Sequence, residues 1–213
     1  MREEFFDLFL VLIQLGAVLA VIILFFKSLK SKENIIKIVI GVLPCAILGL
    51  IFEDIIDKYF YNVFSIAICL IFYGIIFLFT NKFKTNKDEV SYKHALYIGL
   101  FQTLSLFPGS SRSGVTIIGG MMLGYSRVAS SEFSFFLSIP TMFGASFLKS
   151  YNFFQTTSLS HEEFIVLLVG FLTALATSLL CIKGLMNYIK KNDFKIFGIY
   201  RIILGIILLS FFY

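Results

Sequence analysis

The feature that most constrains the fold of this chain is a succession of apolar blocks, each close to the roughly 20 residues that a helix needs to cross a bilayer. With 58% hydrophobic and only 15% charged residues, the chain has too much apolar surface for a soluble domain to bury. The pattern predicts an all-α, polytopic membrane protein with about six transmembrane helices. The predicted spans are residues 8–26, 35–52, 62–80, 131–149, 164–182 and 194–212.

One further apolar stretch is too short to cross. Residues 94–107 form a candidate helix that ends at Pro108-Gly109, and a second candidate covers residues 116–123. Two half-length helices separated by Pro, Gly and Ser predict a re-entrant helical hairpin. Irregular backbone at membrane depth persists only where protein or a water-filled cavity satisfies it, so the break is a candidate site.

The basic residues support this topology. If the hairpin enters and leaves on one side, most of the 18 Lys and Arg collect on one face, leaving Arg2, Lys58 and Lys149 on the other. The positive-inside rule then places the basic face in the cytoplasm and both termini outside. Topology also explains the net charge of +5, so we do not expect a nucleic-acid partner.

The chain is predicted to be a single integral membrane domain with a weak internal repeat. Glu4-Phe5-Phe6 opens a span in the half formed by residues 1–90, and Glu132-Phe133-Ser134 opens one in residues 91–213. Since each half holds three spans, the halves are expected to be inverted relative to each other. Inverted repeats place a site near the bilayer midplane.

The polar loop at residues 108–114 combines several features that bind anions. A guanidinium such as that of Arg112 is costly inside a bilayer unless it faces a cavity or a partner. Gly109 and Gly114 let backbone N–H groups approach a ligand, and a helix predicted to start near Val115 directs its N-terminus at the loop. Compact hydroxyl donors surround the arginine: Ser110, Ser111, Ser113 and Thr116. Because guanidinium binds phosphate through two parallel hydrogen bonds, the loop predicts a phosphate site.

Other polar residues of the apolar segments have two interpretations. Arg112 could instead pair with Glu132 or bind helix carbonyls, and Glu132 is either an interface residue or a support of the site. Arg201, which follows Tyr200 in the last span, is a structural pair, a snorkelling residue or a ligand contact. Gln102 either hydrogen-bonds across helices or reaches the phosphate. We therefore list three candidates for residues that contact the ligand-binding residues rather than the ligand itself: Glu132, Arg201 and Tyr200.

The loop and its surroundings resemble the bacterial undecaprenyl-diphosphatase family, also called bacitracin-resistance proteins. The resemblance lies in Leu106-Phe-Pro-Gly-Ser-Ser-Arg-Ser-Gly-Val-Thr116, Gly119-Gly-Met121, Ser131-Glu-Phe-Ser-Phe135, Gly41-Val-Leu-Pro44 and Tyr200-Arg201, and it covers nearly the whole chain. It implies hydrolysis of undecaprenyl diphosphate to undecaprenyl phosphate in the bacterial plasma membrane. That reaction recycles the lipid carrier of cell-wall synthesis, so a polyprenyl diphosphate lipid is the expected partner.

Residue by residue, the resemblance transfers phosphate binding to Ser111, Arg112, Ser113 and Thr116. An earlier family signature, a Glu-rich re-entrant hairpin that supplies acidic metal ligands, has no counterpart in this sequence. We therefore expect either that Met1 is an internal methionine of a longer chain or that the chain is a degenerate relative. The resemblance also implies a divalent cation, Mg²⁺ or Ca²⁺, whose ligands are not identifiable here.

Within this chain we expect Arg112, Ser111 and Ser113 to act in catalysis. Arg112 would stabilise the charge that develops on the phosphate, and the hydroxyls would position it or supply a nucleophile. The residues expected to bind the phosphate are Gly109, Ser110, Gly114, Thr116 and Gln102. The alternatives are a protein that binds or transports a lipid phosphate without hydrolysis, or an inactive relative. The sequence leaves a homo-oligomer open.

Overall fold

A computed structural model describes residues 3–156 and 158–212, and the regular structure in these ranges is helical. Short 3₁₀ turns cover Thr80–Lys82 and Leu104–Leu106. The prediction of an all-α chain is confirmed. The α-helices of the described residues are α1 (Glu3–Leu24), α2 (Phe26–Leu29), α3 (Lys32–Phe60), α4 (Val63–Phe79), α5 (Tyr92–Thr103), α6 (Arg112–Met122), α7 (Arg127–Thr156), α8 (His161–Lys191) and α9 (Lys195–Phe212).

Five segments of the described helices are long and apolar enough to cross a membrane. They are Phe5–Leu24, Lys32–Phe52, Val63–Lys82, His161–Lys191 and Lys195–Phe212. Many of their large apolar side chains point outwards, and Leu50 on α3 is 83% exposed. Exposing so much apolar surface to water would be unfavourable, whereas lipid chains solvate it. The prediction of a polytopic membrane protein is thus confirmed.

The sixth predicted span, residues 131–149, lies within α7 but is not among these five segments. At about 1.5 Å per residue, the 30 residues of α7 extend about 45 Å, so length is not the obstacle. The helix is instead more polar, because it carries buried serines at positions 130, 131, 134 and 138. The Ser134 hydroxyl lies 2.7 Å from that of Thr116 on α6, so it serves helix packing. That α7 crosses the bilayer stays a prediction.

The helices form two compact units. The first comprises Met1–Ile35 and Phe135–Asn187. Its core is built around Phe5, Leu8 and Phe153, and the Ser146 hydroxyl of α7 donates a hydrogen bond to the Val11 carbonyl of α1. The second unit comprises Ile36–Ser134 and Tyr188–Tyr213, and it contains the hairpin. The predicted inverted halves, residues 1–90 and 91–213, stay a prediction.

In the second unit, α4 packs closely against α9 through glycine. A Cβ atom on Gly74 would lie 2.9 Å from the Gly198 carbonyl oxygen, and one on Gly198 would lie 2.7 Å from that of Gly74. Small residues allow such backbone contact between helices and are common where membrane helices associate. The contact matters for function because Arg201 follows Gly198 by about one turn of α9.

Helices α5 and α6 pack against each other as the predicted hairpin. Its two ends meet at the hairpin base, which we define as residues 86–94 and 123–126. There Lys87 forms a parallel bridge with Tyr125, and the Ser126 N–H donates to the Lys87 carbonyl at 2.8 Å. With 12 and 11 residues, the helices extend only about 18 and 17 Å, roughly half of a bilayer core. The two ends of the hairpin thus lie together, as they do in a re-entrant hairpin. That both ends lie on one side of the bilayer stays a prediction.

Candidate phosphate-binding site

The hairpin tip, residues 107–114, contains the predicted site, and α6 starts there earlier than expected. The second half-helix was predicted from residue 116, or from Val115 at the loop, but α6 begins at Arg112. That boundary prediction is wrong because Ser111 caps the helix. Its Oγ accepts a hydrogen bond from the Gly114 N–H at 3.3 Å, which satisfies one of the first-turn amides. Arg112 and Ser113 therefore belong to the first turn of a helix rather than to a loop.

The turn before the helix is made by Ser110 and Gly109. The Ser110 N–H and hydroxyl both donate to the Phe107 carbonyl, at 3.2 and 2.7 Å, and the residue is fully buried. Gly109 has φ +87°, and a Cβ atom there would lie 2.5 Å from the Ile66 carbonyl oxygen of α4. Only glycine fits that position. Both residues shape the turn, and their predicted contact with phosphate stays a prediction.

Ser111 has a strained backbone. Across residues 3–156 and 158–212 it is the only non-glycine residue with a positive φ, at +69°. Such a conformation costs about 1–3 kcal/mol and persists only where the surroundings enforce it. The cap to Gly114 on one side and the tight turn at Gly109 on the other enforce it here. This strain presents the Ser111 hydroxyl at the start of α6.

Arg201 holds the turn from α9. Its Nη2 donates to the carbonyl oxygens of Gly109 at 2.7 Å and Ser110 at 3.0 Å. The side chain is buried, and it lies near Cys69 and Tyr73 of α4. Of the interpretations left open by the sequence, the geometry supports a structural pair with the loop backbone. Arg201 therefore positions the hairpin tip.

The neighbouring Tyr200 does not share this role. Its side chain is 64% exposed on the outer surface of α9. No described hydrogen bond joins it to the hairpin tip, in contrast to Arg201. A supporting role for Tyr200 in the site stays a prediction.

Arg112 and Gln102 share the surroundings of Cys45 on α3. The Cys45 thiol donates a hydrogen bond to the backbone carbonyl oxygen of Gln102 at 3.8 Å, and Cys45 lies near Arg112. Gln102 is fully buried, and within the described residues neither its Oε1 nor its Nε2 has a hydrogen-bond partner. Buried polar atoms of this kind normally bind ordered water or a ligand. The sequence singled out Gln102 but carried no signal for Cys45.

The hydroxyls of the site divide into two groups. Ser111 is partly exposed and Ser113 is exposed, and their Oγ atoms lie 3.5 Å apart on the first turn of α6. Thr116 is buried, donates to the Arg112 carbonyl at 2.9 Å and contacts Ser134 of α7. The accessible pair can meet a ligand as the protein stands, whereas Thr116 fixes α6 against α7. Ser134 was missed as a support, although it lies in the Ser131–Phe135 motif.

Glu132 is half-buried on α7. Lys190 of α8 acts on its carboxylate electrostatically, and no hydrogen bond to this carboxylate is present in the described part of the chain. The structure does not join Glu132 to the hairpin tip by a described contact. Its predicted support of the site stays a prediction.

The chain is similar to known proteins over nearly its whole length. The chain matches the family described as bacitracin resistance protein BacA over residues 1–207. It is 44% identical over 232 residues to an undecaprenyl-diphosphatase of Enterococcus faecalis, covering 99% of this chain and 84% of that protein. It is 47% identical over 229 residues to undecaprenyl-diphosphatase 1 of Clostridioides difficile, covering 99% and 83%. It is 46% identical over 237 residues to an undecaprenyl-diphosphatase of Lactococcus lactis, covering 98% and 82%. The chain belongs to the BacA family.

The described residues of this BacA family member were expected to contribute little to a divalent-cation site. In the described residues there is no group of three or more His, Cys, Asp or Glu that could hold a metal ion. The polar side chains of the hairpin tip are hydroxyls and a guanidinium, whereas Mg²⁺ and Ca²⁺ bind carboxylate and carbonyl oxygens. These residues therefore do not fit the expected cation.

The hairpin base of this family member is held by Tyr125, which sequence reasoning did not single out. Its buried hydroxyl accepts from the Ser91 N–H at 3.1 Å and lies 2.7 Å from His94 Nδ1. Burial, followed by the positive charges of Lys87 and Lys93, holds the pKa of His94 below its ordinary value of 6.5. A neutral His94 can accept the Tyr125 O–H, so the phenol oxygen is left to accept from Ser91.

Proposed function

We propose that this chain hydrolyses undecaprenyl diphosphate to undecaprenyl phosphate and inorganic phosphate at the hairpin tip. The observation that carries the proposal is the first turn of α6. It carries Arg112 between two serines whose hydroxyls lie 3.5 Å apart, on a turn that Arg201 holds by its carbonyls. The relatives named undecaprenyl-diphosphatase supply the substrate.

The diphosphate is recognised through the positive charge of the site and the direction of its hydrogen-bond donors. The Arg112 guanidinium can bind two phosphate oxygens through parallel hydrogen bonds. The N-terminus of α6 adds N–H donors and a partial positive charge. Ser111 and Ser113 offer hydroxyls on the same turn, and the Gln102 side-chain amide, which has no hydrogen-bond partner within the described residues, is a further donor and acceptor.

Hydrolysis breaks the P–O bond between the two phosphoryl groups. An oxygen nucleophile attacks the terminal phosphorus, and undecaprenyl phosphate leaves with the bridging oxygen. Arg112 stabilises the charge on the transferring group and on the leaving oxygen, which is the main contribution a protein makes to phosphoryl transfer. In the proposal, Ser111 or Ser113 either positions the attacking water or attacks directly and is then released by water.

The finer parts of the proposal concern cofactor and orientation. A divalent cation, Mg²⁺ or Ca²⁺, remains part of it because substrate phosphates themselves supply oxygen ligands to such ions. Removal of the ion with a chelator is then expected to lower phosphate release.

The basic hairpin base, with Lys87 and Lys93, faces the cytoplasm in the proposal, and both termini lie outside. A cysteine introduced in place of Lys93 should react with an impermeant maleimide only in inside-out vesicles.

The direct test measures phosphate release from undecaprenyl diphosphate in detergent. The wild-type chain should form undecaprenyl phosphate and free phosphate in equal amounts. Arg112→Ala should lower the rate by about 100-fold or more, the typical effect of removing a donor that stabilises transition-state charge. Arg127→Ala, an arginine outside the hairpin tip, is the matched control and should retain the rate. Equal activity of the wild type and Arg112→Ala would remove Arg112 from the mechanism.

A further inference from the structure

Helix α3 packs closely against α5 through small residues. A Cβ atom on Gly99 of α5 would collide with the Gly41 carbonyl group of α3, and one on Gly49 would lie 3.7 Å from the Leu106 side chain. Cys45 lies four residues, about one helical turn, from each of the two α3 glycines. It therefore lies on the face of α3 that meets α5, between the two contacts.

Polar groups of the candidate site gather beside this cysteine. The Cys45 thiol donates to the backbone carbonyl of Gln102, and Cys45 lies near Arg112 of the hairpin tip. Gln102 is fully buried, and neither polar atom of its side-chain amide has a hydrogen-bond partner within residues 3–156 and 158–212. Because a buried amide of this kind normally binds ordered water or a ligand, it is a second, independent sign of a ligand beside Cys45.

The other two cysteines have different surroundings. Cys69 lies near Arg201, whose guanidinium is already bonded to two carbonyls of the hairpin tip. Cys181 is exposed on the apolar helix α8. Cys45 is half-buried, so part of its side chain stays open beside the arginine to which the proposed function assigns the phosphate.

We propose that Cys45 is a modification site in the wall of the diphosphate site, where an anionic thiol-directed electrophile is attached and closes the site. This inference rests on the proposed function, because it places the terminal phosphate at Arg112. An anionic group attached to Cys45 pairs with the guanidinium that the phosphate needs. Helix α3 thus forms one wall of the site, opposite the serines of α6.

The reaction that reveals the site is disulfide exchange with a methanethiosulfonate reagent. The Cys45 thiol loses its proton to water, and the thiolate attacks the sulfenyl sulfur of the reagent. A new S–S bond to Cys45 forms, the S–S bond of the reagent breaks, and methanesulfinate leaves with the electron pair. Since a thiolate does not form in lipid, modification also requires that water reaches Cys45.

The test treats the whole chain in detergent with sulfonatoethyl or trimethylammonioethyl methanethiosulfonate, two reagents of similar size and opposite charge. The anionic reagent should modify Cys45 about tenfold faster than the cationic one, because Arg112 attracts anions. Mass spectrometry of the peptide that contains Cys45 measures both rates. Phosphate release should be lost as the mixed disulfide forms, and Arg112→Gln should bring the two rates together.

A ligand and a displaced thiol provide the controls. Undecaprenyl methylenediphosphonate, whose P–C–P bridge is not hydrolysed, should slow the modification in proportion to its occupancy of the site. Leu43→Cys, made together with Cys45→Ala, moves the thiol to the outer face of α3, where Leu43 is 50% exposed. The thiol at position 43 should stay unmodified. Loss of phosphate release in treated Cys45→Ala would assign the effect to another cysteine and overturn the proposal.

The outcomes separate this inference from the proposed function. Equal rates for the two reagents, no protection by the diphosphonate, or full activity of the chain modified at Cys45 would each overturn the modification site while the proposed function stands. If the untreated chain releases no phosphate, the proposed function fails. Charge-selective modification that the diphosphonate prevents would then still support Cys45 as part of an anion-binding site.

Discussion

The tip and the base of the re-entrant hairpin use polar groups in opposite ways. At the base, the protein satisfies its own polar groups: Tyr125 bonds Ser91 and His94, and Lys87 bonds the Leu123 carbonyl. At the tip, Ser111 is strained and partly exposed, and the Ser113 hydroxyl faces outwards. The base fixes where the hairpin starts and ends, and the tip keeps donors available for a ligand.

This difference explains why the tip needs a partner from another helix. The backbone strain at Ser111 makes this turn unfavourable by itself. Contacts with neighbouring helices must therefore offset the strain. Arg201 of α9 supplies two hydrogen bonds to the turn, and Ile66 of α4 leaves room only for glycine at position 109. The rigidity of the site thus comes from α4 and α9, and its chemistry comes from α6.

The largest expected effect is at Arg112, the arginine of the tip. Arg112→Lys keeps the positive charge but loses the planar fork that binds two phosphate oxygens. We expect kcat/KM for phosphate release to fall by about 100-fold, with little change in the thermal unfolding temperature. Wild-type activity of this variant would show that Arg112 acts only as a point charge.

Arg201, the second arginine, should respond differently from Arg112 when it is substituted by lysine. Arg201→Met leaves the Gly109 and Ser110 carbonyls without their donor, at about 1–3 kcal/mol for each buried acceptor. Stability and activity should therefore fall together. Arg201→Lys should recover most of both, because an ammonium can still donate to two carbonyls. The check is to measure the free energy of unfolding and kcat/KM on the same samples. An Arg201→Lys variant that is as inactive as Arg201→Met would indicate that Arg201 contacts the ligand directly.

Ser111 allows the backbone strain to be separated from the hydroxyl. Ser111→Gly and Ser111→Ala both lose the hydroxyl and its cap to Gly114, but only Ser111→Gly also removes the strain of a positive φ. The glycine variant should be more stable than the alanine variant by about 1 kcal/mol, with phosphate release reduced about tenfold in both. Chemical denaturation and activity are the two measurements. Full activity in the glycine variant would exclude a catalytic role for the hydroxyl.

A change at the base should affect stability more than chemistry. Tyr125→Phe removes the acceptor of the Ser91 N–H and the partner of His94, with an expected loss of about 1–2 kcal/mol. Since the tip is held separately by Arg201, kcat/KM should remain close to the wild-type value. Amide exchange at Ser91 should rise in the same variant. A loss of activity without a loss of stability would contradict the separation of base and tip.

The smallest effect concerns pH at the base. Because burial and the nearby lysines lower the pKa of His94, the folded protein binds this proton less readily than the unfolded chain does. The resulting stability is present above the ordinary pKa of 6.5 and is lost as pH falls through the lower folded-state pKa. Unfolding temperatures on either side of pH 6.5 should show the decline. His94→Gln, which cannot be protonated, should show a smaller decline in unfolding temperature. An identical decline in that variant would mean that other groups cause it.

Much of the fold and part of the site could be predicted from local patterns. Runs of apolar residues determined the spans, and Pro108-Gly109 between two short apolar stretches determined the hairpin, because both depend on neighbours in sequence. Arg112 was identified for the same reason, as a charge in an apolar context. The start of α6 was misplaced because the cap at Ser111 depends on a positive φ that serine rarely adopts.

By itself, the sequence determined that this chain is a helical membrane protein with an arginine and hydroxyls at a break in a short hairpin. Only the tertiary structure decided which of those groups remain accessible. Ser110 and Thr116 turn inwards to Phe107 and Ser134, and Arg201 reaches across 92 positions of the chain to hold Gly109. The physical reason is that a side chain's partner depends on how helices pack. That packing brings together residues far apart in sequence, where local hydrophobicity and spacing carry no information.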